Sequence, residues 1–154
     1  MAADKITILY VDDEENNLFS FKATFRIKYQ VLLAISGEEA LKILATKKVH
    51  VIITDQRMPG MTGVDFLEKV LEAYPDPMRI LLTGYADMNA VVDAVNKGKI
   101  FHYLAKPWNE EELDMTINRA YEKYLEKAQL KEMNEKLAGS NDQLEFMLRQ
   151  RLLS

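Results

Sequence analysis

Short apolar runs alternate with amphipathic stretches over the first 121 residues. Residues 6–11, with Ile6, Ile8, Leu9 and Val11, read as a buried strand. Residues 16 to about 28 read as a helix that carries Leu18, Phe21 and Phe25 on one face. The pattern then repeats. Strands are predicted at 29–35, 49–54, 78–83 and 100–104. Helices are predicted from 37 to about 47 (Ala40, Leu41 and Leu44 inward), from 63 to about 74 (Val64, Leu67 and Leu71 inward) and over 88–96 (Val91, Val92 and Val95). Five strands, each followed by a helix, imply right-handed crossovers and a parallel sheet. The first and third strands are nearly all apolar, as central strands covered on both faces should be.

The last helix is predicted to start near Trp108, with Asn109 as N-cap and Glu110 and Glu111 at the positive end of its dipole. No proline follows, so it can run to the C-terminus. Ile117, Tyr121, Tyr124 and Ala128 share a face suited to packing on the domain. The stripe then shifts: Leu130, Leu137 and Leu144 are seven apart, with Met133 and Met147 at the intervening positions and Ser140 as the polar exception. This is a short heptad seam. The expected organisation is a compact domain over 1–121 and a helical extension over 122–154.

Composition narrows the classes. The chain has 154 residues, 48% hydrophobic and 29% charged, which suits one folded domain. The net charge of −4 lies entirely in the first 121 residues, because six acidic and six basic residues balance after them. A basic nucleic-acid surface is therefore not expected. The absence of cysteine excludes disulfides, thiolate metal sites and a cysteine nucleophile. The longest apolar run is residues 31–35, too short for a membrane span, and the N-terminus lacks a signal-peptide layout. A soluble cytoplasmic protein is expected. His50 and His102 read as structural or partly exposed rather than catalytic.

Candidate chemistry sits where an open parallel sheet binds its ligands, at the carboxyl ends of the strands. The first strand ends in Asp12-Asp13, the third in Asp55 and the fourth in Thr83; Lys106-Pro107 follows the fifth. Taken singly, each has an ordinary reading as a helix cap, a turn residue or a strand-end hydroxyl. Taken together, if the first strand lies centrally beside the third, Asp12, Asp13 and Asp55 converge. Two carboxylates about 5 Å apart repel by about 3 kcal/mol at an effective dielectric of 20, so three need a cation. Hard oxygen ligands favour Mg2+. An Asp, a divalent cation, a Lys and a hydroxyl suit phosphoryl transfer onto a carboxylate.

These residues, with the block Asp55-Gln56-Arg57-Met58-Pro59-Gly60-Met61-Thr62-Gly63, Leu82-Thr83-Gly84 and Tyr103, resemble the receiver domain of two-component response regulators over about residues 5–121. The resemblance implies a flavodoxin-like five-stranded sheet of order 2-1-3-4-5. It implies that Asp55 is the phosphoacceptor, taking its phosphoryl group from a histidine kinase or phosphotransfer protein. Asp13 would ligate Mg2+ directly and Asp12 largely through water, and the backbone carbonyl of Arg57 would add a ligand. Thr83 and Lys106 would bind phosphoryl oxygens, and Tyr103 would be the switch aromatic. The Lys106–Pro107 bond would be cis. The side chains of Arg57 and Tyr85 would border the site and tune phosphoryl lifetime. Trp108 reads as core packing.

For the extension, the seam of Leu130, Met133, Leu137, Leu144 and Met147 predicts a parallel coiled-coil homodimer. The chain ends at Ser154 without a stop signal, which predicts a fragment, or a regulator whose output module has been removed. The extension resembles the signalling helices that connect receivers to enzymatic outputs, which implies a nucleotide cyclase first, with a histidine kinase, a phosphodiesterase or a serine phosphatase as alternatives, and no helix-turn-helix is recognisable. Two other classes stay open. A Mg2+-dependent phosphatase with an aspartyl nucleophile shares this chemistry, but that family places a second Asp two positions after the first, where this chain has Arg57. A constitutive coiled-coil adaptor would leave the acidic site without a role.

Overall fold

A computed structural model of the chain describes residues 5–153; the side chains of Tyr85, Leu152 and Leu153 lie outside that description. Strands β1 (Thr7–Val11), β2 (Gln30–Ala34), β3 (Val51–Asp55), β4 (Met78–Thr83) and β5 (His102–Ala105) form one parallel sheet in the order β2-β1-β3-β4-β5. This is the flavodoxin-like order expected from the sequence. The connecting helices are α1 (Glu15–Phe25), α2 (Gly37–Thr46), α3 (Gly63–Ala73) and α4 (Met88–Asn96), and α5 (Glu110–Leu153) follows β5.

Alternation along each strand sends side chains to two cores. Ile8 and Tyr10 of β1 join Val51 and Ile53 of β3 beneath Leu18, Phe21 and Phe25 of α1 and Leu113, Ile117 and Ala120 of α5. Leu9 and Val11 join Ile52 and Leu81 beneath Ala40 and Leu44 of α2, Phe66, Leu67 and Val70 of α3, and Val91 and Ala94 of α4. Trp108 packs on the first core, its ring 6.1 Å from Phe21 and 5.6 Å from Phe25.

Three packing expectations shift. The buried face of α3 is centred on Phe66, Leu67 and Val70, and Val64 and Leu71 are only half-buried. In α4, Val92 is exposed and Ala94 takes the inward position. Ala128 is exposed, so the packed stripe of α5 stops at Tyr121 and Tyr124. The strand expected at 100–104 forms as His102–Ala105, although Ile100 is buried just before it.

Local chemistry sets the element ends. Ser36, Thr62 and Asn109 each accept a backbone N–H three residues on and so cap α2, α3 and α5. Lys28, Tyr29 and Asn118 gather around Asp114 and tie the first turns of α5 to the junction between α1 and β2. The chain divides into a compact unit up to Tyr124 and a helical unit from Leu125 onward. In the helical unit Leu130, Met133, Leu137, Leu144 and Met147 are all exposed. Among the described residues no helix is long and apolar enough to cross a membrane.

Candidate functional site

β1 and β3 are neighbours with Val11 opposite Thr54, so the residues that follow, Asp12 and Asp55, emerge side by side. Asp13 lies beside them, and one carboxylate oxygen from each of the three lies within 4.8 Å of the others. Asp12 is fully buried, Asp55 nearly so, and Asp13 is half-buried. β4 pairs with β5 so that Thr83 faces Ala105, and the Lys106 N–H donates to the Thr83 carbonyl. The Lys106–Pro107 peptide is cis, as expected. Lys106 Nζ then reaches back to Asp55 Oδ1 at 2.5 Å.

The loop after Asp55 is held by Gln56, Gly60 and Gly63, residues of the quoted block to which the sequence alone assigns no role of their own. The buried Gln56 donates its N–H to the Leu82 carbonyl, and its Oε1 accepts from the Val64 N–H. Its carbonyl also accepts from the Gly63 N–H. Gly63 is required by space: a Cβ there would sit 2.4 Å from the Asp55 carbonyl oxygen and 2.7 Å from Leu81 Cδ1. Gly60, at φ +79°, supplies a left-handed turn in the same loop.

Asp12 is the most heavily hydrogen-bonded of the three acids. Its Oδ2 accepts from Tyr10 Oη (2.9 Å) and Asn17 Nδ2 (3.0 Å), and its Oδ1 from the Glu14 N–H (3.0 Å). Thr83 is buried, and its hydroxyl donates to the Gly84 carbonyl rather than to Asp55. Arg57 extends an exposed side chain whose Nε meets Asp87 Oδ2 at 3.0 Å. Tyr103 is half-buried against the second core and stacks on His102. Of the two positions expected to border the site, the Tyr85 side chain lies outside the described residues. His50 is structural: its Nδ1 accepts the Thr7 N–H, and it packs edge-on to Tyr121 and Tyr124. His102 is exposed on β5.

Burial pushes the Asp55 carboxyl above its ordinary value, with Lys106 pulling it down and Asp12 pushing it up. With every carboxylate ionised, the cluster and Lys106 carry two net negative charges in a mostly buried space. An all-oxygen donor set with that surplus fits a hard divalent cation such as Mg2+. The chain also matches the family model of the response regulator receiver domain over residues 8–118.

The chain belongs to the response regulator receiver family.

Among its relatives, the receiver is 38% identical over 122 residues to the hydrogenase transcriptional regulatory protein HoxA of Cupriavidus necator. That alignment covers 79% of this chain and 25% of HoxA. The chain thus spans about a quarter of the length of the curated relatives it matches. Among solved structures it superposes on an adenylate cyclase from Rhodopirellula baltica with a TM-score of 0.83 at 31% identity, covering 86% of this chain and 98% of that one. A response regulator receiver domain from Clostridium thermocellum matches with a TM-score of 0.73 at 34% identity, covering 77% and 95%.

Proposed function

We propose that this receiver is a phosphorylation-controlled switch with Asp55 as the phosphoacceptor. The observation that carries the reading is the buried Asp55 carboxylate, with Lys106 Nζ at 2.5 Å and two further carboxylates beside it. A carboxylate oxygen of Asp55 attacks the phosphorus of a phosphohistidine on a partner kinase or phosphotransfer protein. The P–O bond forms as the P–N bond breaks, and the departing imidazole takes a proton from solvent. Lys106 neutralises the phosphoryl oxygens that replace its present partner. The Thr83 hydroxyl turns from the Gly84 carbonyl to a phosphoryl oxygen, and Tyr103 moves inward into the space this opens. Asp12, Asp13 and Asp55, with the Arg57 carbonyl, would hold Mg2+, which offsets the charge of the carboxylates and the incoming phosphoryl group. The exposed Arg57 side chain, two residues beyond the acceptor, controls how water reaches the phosphoryl group, and with Tyr85 sets its lifetime.

Phosphate on Asp55 shifts a two-state equilibrium in the face built by α4, β5 and the start of α5. The helical extension carries that shift onward as a parallel homodimeric coiled coil. Its support is the exposed seam of Leu130, Met133, Leu137, Leu144 and Met147. Burying one such side chain is worth about 1.5–3 kcal/mol, which a solitary helix forgoes. The output in this reading is a nucleotide cyclase, supported by the likeness to the Rhodopirellula baltica chain. The likeness to HoxA supports a transcriptional output instead.

The test is phosphoryl uptake from acetyl phosphate with Mg2+, followed by intact mass and by light scattering after size exclusion with and without beryllofluoride. One phosphoryl group is expected per chain, lost in Asp55→Asn, with a dimer whose stability or shape responds to beryllofluoride. Uptake that persists in Asp55→Asn overturns the acceptor assignment. A monomer at tens of micromolar under both conditions overturns the coiled coil.

A further inference from the structure

Asp12 is gripped from behind by the hydroxyl of Tyr10, whose ring belongs to the first core, and by the amide of Asn17, which also donates to Glu14 Oε2 at 3.2 Å. Tyr10 lies in the middle of the sheet, is 1% exposed, and stacks on Phe21 with ring centroids 4.2 Å apart and planes 5° from parallel. A ring held that way cannot tilt, so its hydroxyl is fixed in space. That hydroxyl donates to Asp12 Oδ2, and Asn17 on the first turns of α1 donates to the same oxygen. A carboxylate oxygen has about two lone-pair sites, so Oδ2 is saturated. Oδ1 takes only the Glu14 N–H and keeps one site open.

We propose that Tyr10 and Asn17 are positioning residues for the cation site: they hold Asp12 so that it meets the ion, or a water bound to it, through one pre-oriented oxygen. This rests on the reading of the acidic cluster as a Mg2+ site. A carboxylate that already has a single orientation loses little rotamer freedom when the cation arrives. Hydrogen-bond partners behind a metal ligand commonly matter tenfold or more to affinity. The sequence gives no sign of this role, because at Tyr10 it shows only another buried position on a central strand.

A cavity of about 400 Å3 lined by Tyr10, Asp12, Asn17, Lys106, Pro107 and Trp108 borders the grip. Trp108 is the only tryptophan, so its fluorescence reports on this corner. The experiment titrates Mg2+ against Trp108 fluorescence, and counts bound Mn2+ by electron paramagnetic resonance, in wild type, Tyr10→Phe and Tyr10→Phe/Asn17→Ala. Phe keeps the ring and its stack. The Mg2+ dissociation constant is expected to rise about tenfold in Tyr10→Phe and further in the double variant. In acetyl phosphate uptake the effect should fall on the half-saturating Mg2+ concentration and not on the rate at saturation. Unchanged affinity in both variants overturns the positioning role. So does a loss confined to the saturated rate, which would place Tyr10 on the phosphoryl transfer itself. Wild type that binds neither Mg2+ nor Mn2+ overturns the cation site, and this inference with it.

Discussion

Replacing Asp55 with Asn is expected to stabilise the metal-free protein, although it removes the side chain at the centre of the site. The magnitude follows from the charges around it. Asp12 and Asp13 each present an oxygen within 4.8 Å of one on Asp55, and a unit pair at that distance repels by about 3.5 kcal/mol at an effective dielectric of 20. Lys106 at 2.5 Å attracts by about 6.6 kcal/mol on the same scale. The direct terms nearly cancel. What remains is the cost of burying the carboxylate, the main reason the Asp55 carboxyl lies above its ordinary 3.8. An amide keeps the shape and drops the charge, while Lys106, about a third exposed, retains water. A gain on the order of 1 kcal/mol, or about 3–5 °C in Tm, is expected.

The assay is thermal and urea unfolding of both proteins in EDTA, repeated in Mg2+. Wild type should recover in Mg2+ by about 1.4 kcal/mol at ten times its dissociation constant, while the Asn variant gains less, so the gap closes. The pH dependence has a definite sign. A carboxyl whose folded value is raised destabilises the fold fully at neutral pH, and the penalty is relieved as pH falls through the raised value toward 3.8. The gap between the two proteins should therefore shrink on acidification. An Asn variant that melts at or below wild type in EDTA would refute the reasoning.

Two further outcomes test other parts of the structure. Gly63→Ala should cost about 1–3 kcal/mol in urea unfolding, because its Cβ would overlap the Asp55 carbonyl and push the acceptor loop off the sheet; an unchanged midpoint would show that the loop relaxes freely. His50 is held below its ordinary 6.5 by burial and by Lys48, and its Nδ1 must stay unprotonated to accept the Thr7 N–H. Its contribution is thus complete above 6.5 and is lost as pH falls below it, so His50→Asn should flatten the decline in stability between about pH 7 and about pH 5; an unaltered slope would sink that account.

The sequence by itself determined the architecture and the place of the chemistry. Short apolar runs such as 78–83 and period-3.6 stripes such as Leu18, Phe21 and Phe25 are local patterns, and hydrophobic burial turns them into elements with little ambiguity. A parallel sheet puts every strand's carboxyl end on one edge. Asp12, Asp13, Asp55, Thr83 and Lys106 were therefore placed on that edge by topology, and the receiver resemblance implied the strand order that sets the first strand beside the third. The exposed heptad stripe of α5 was legible in the same way. Only the tertiary structure decided what depends on contacts between distant residues. Phe66 and Val70, not Val64 and Leu71, centre the face of α3, because the angle at which a helix settles on its sheet is set by the neighbours it meets. The pairing of Arg57 with Asp87 joins residues thirty apart. The close approach of Gly63 to Asp55, the double hold of Gln56 and the grip of Tyr10 on Asp12 involve short distances that no periodicity encodes. Burial specifies that a side chain points inward; the direction of a hydroxyl or an amide within that interior is settled by which polar partner the packed chain brings within about 3 Å.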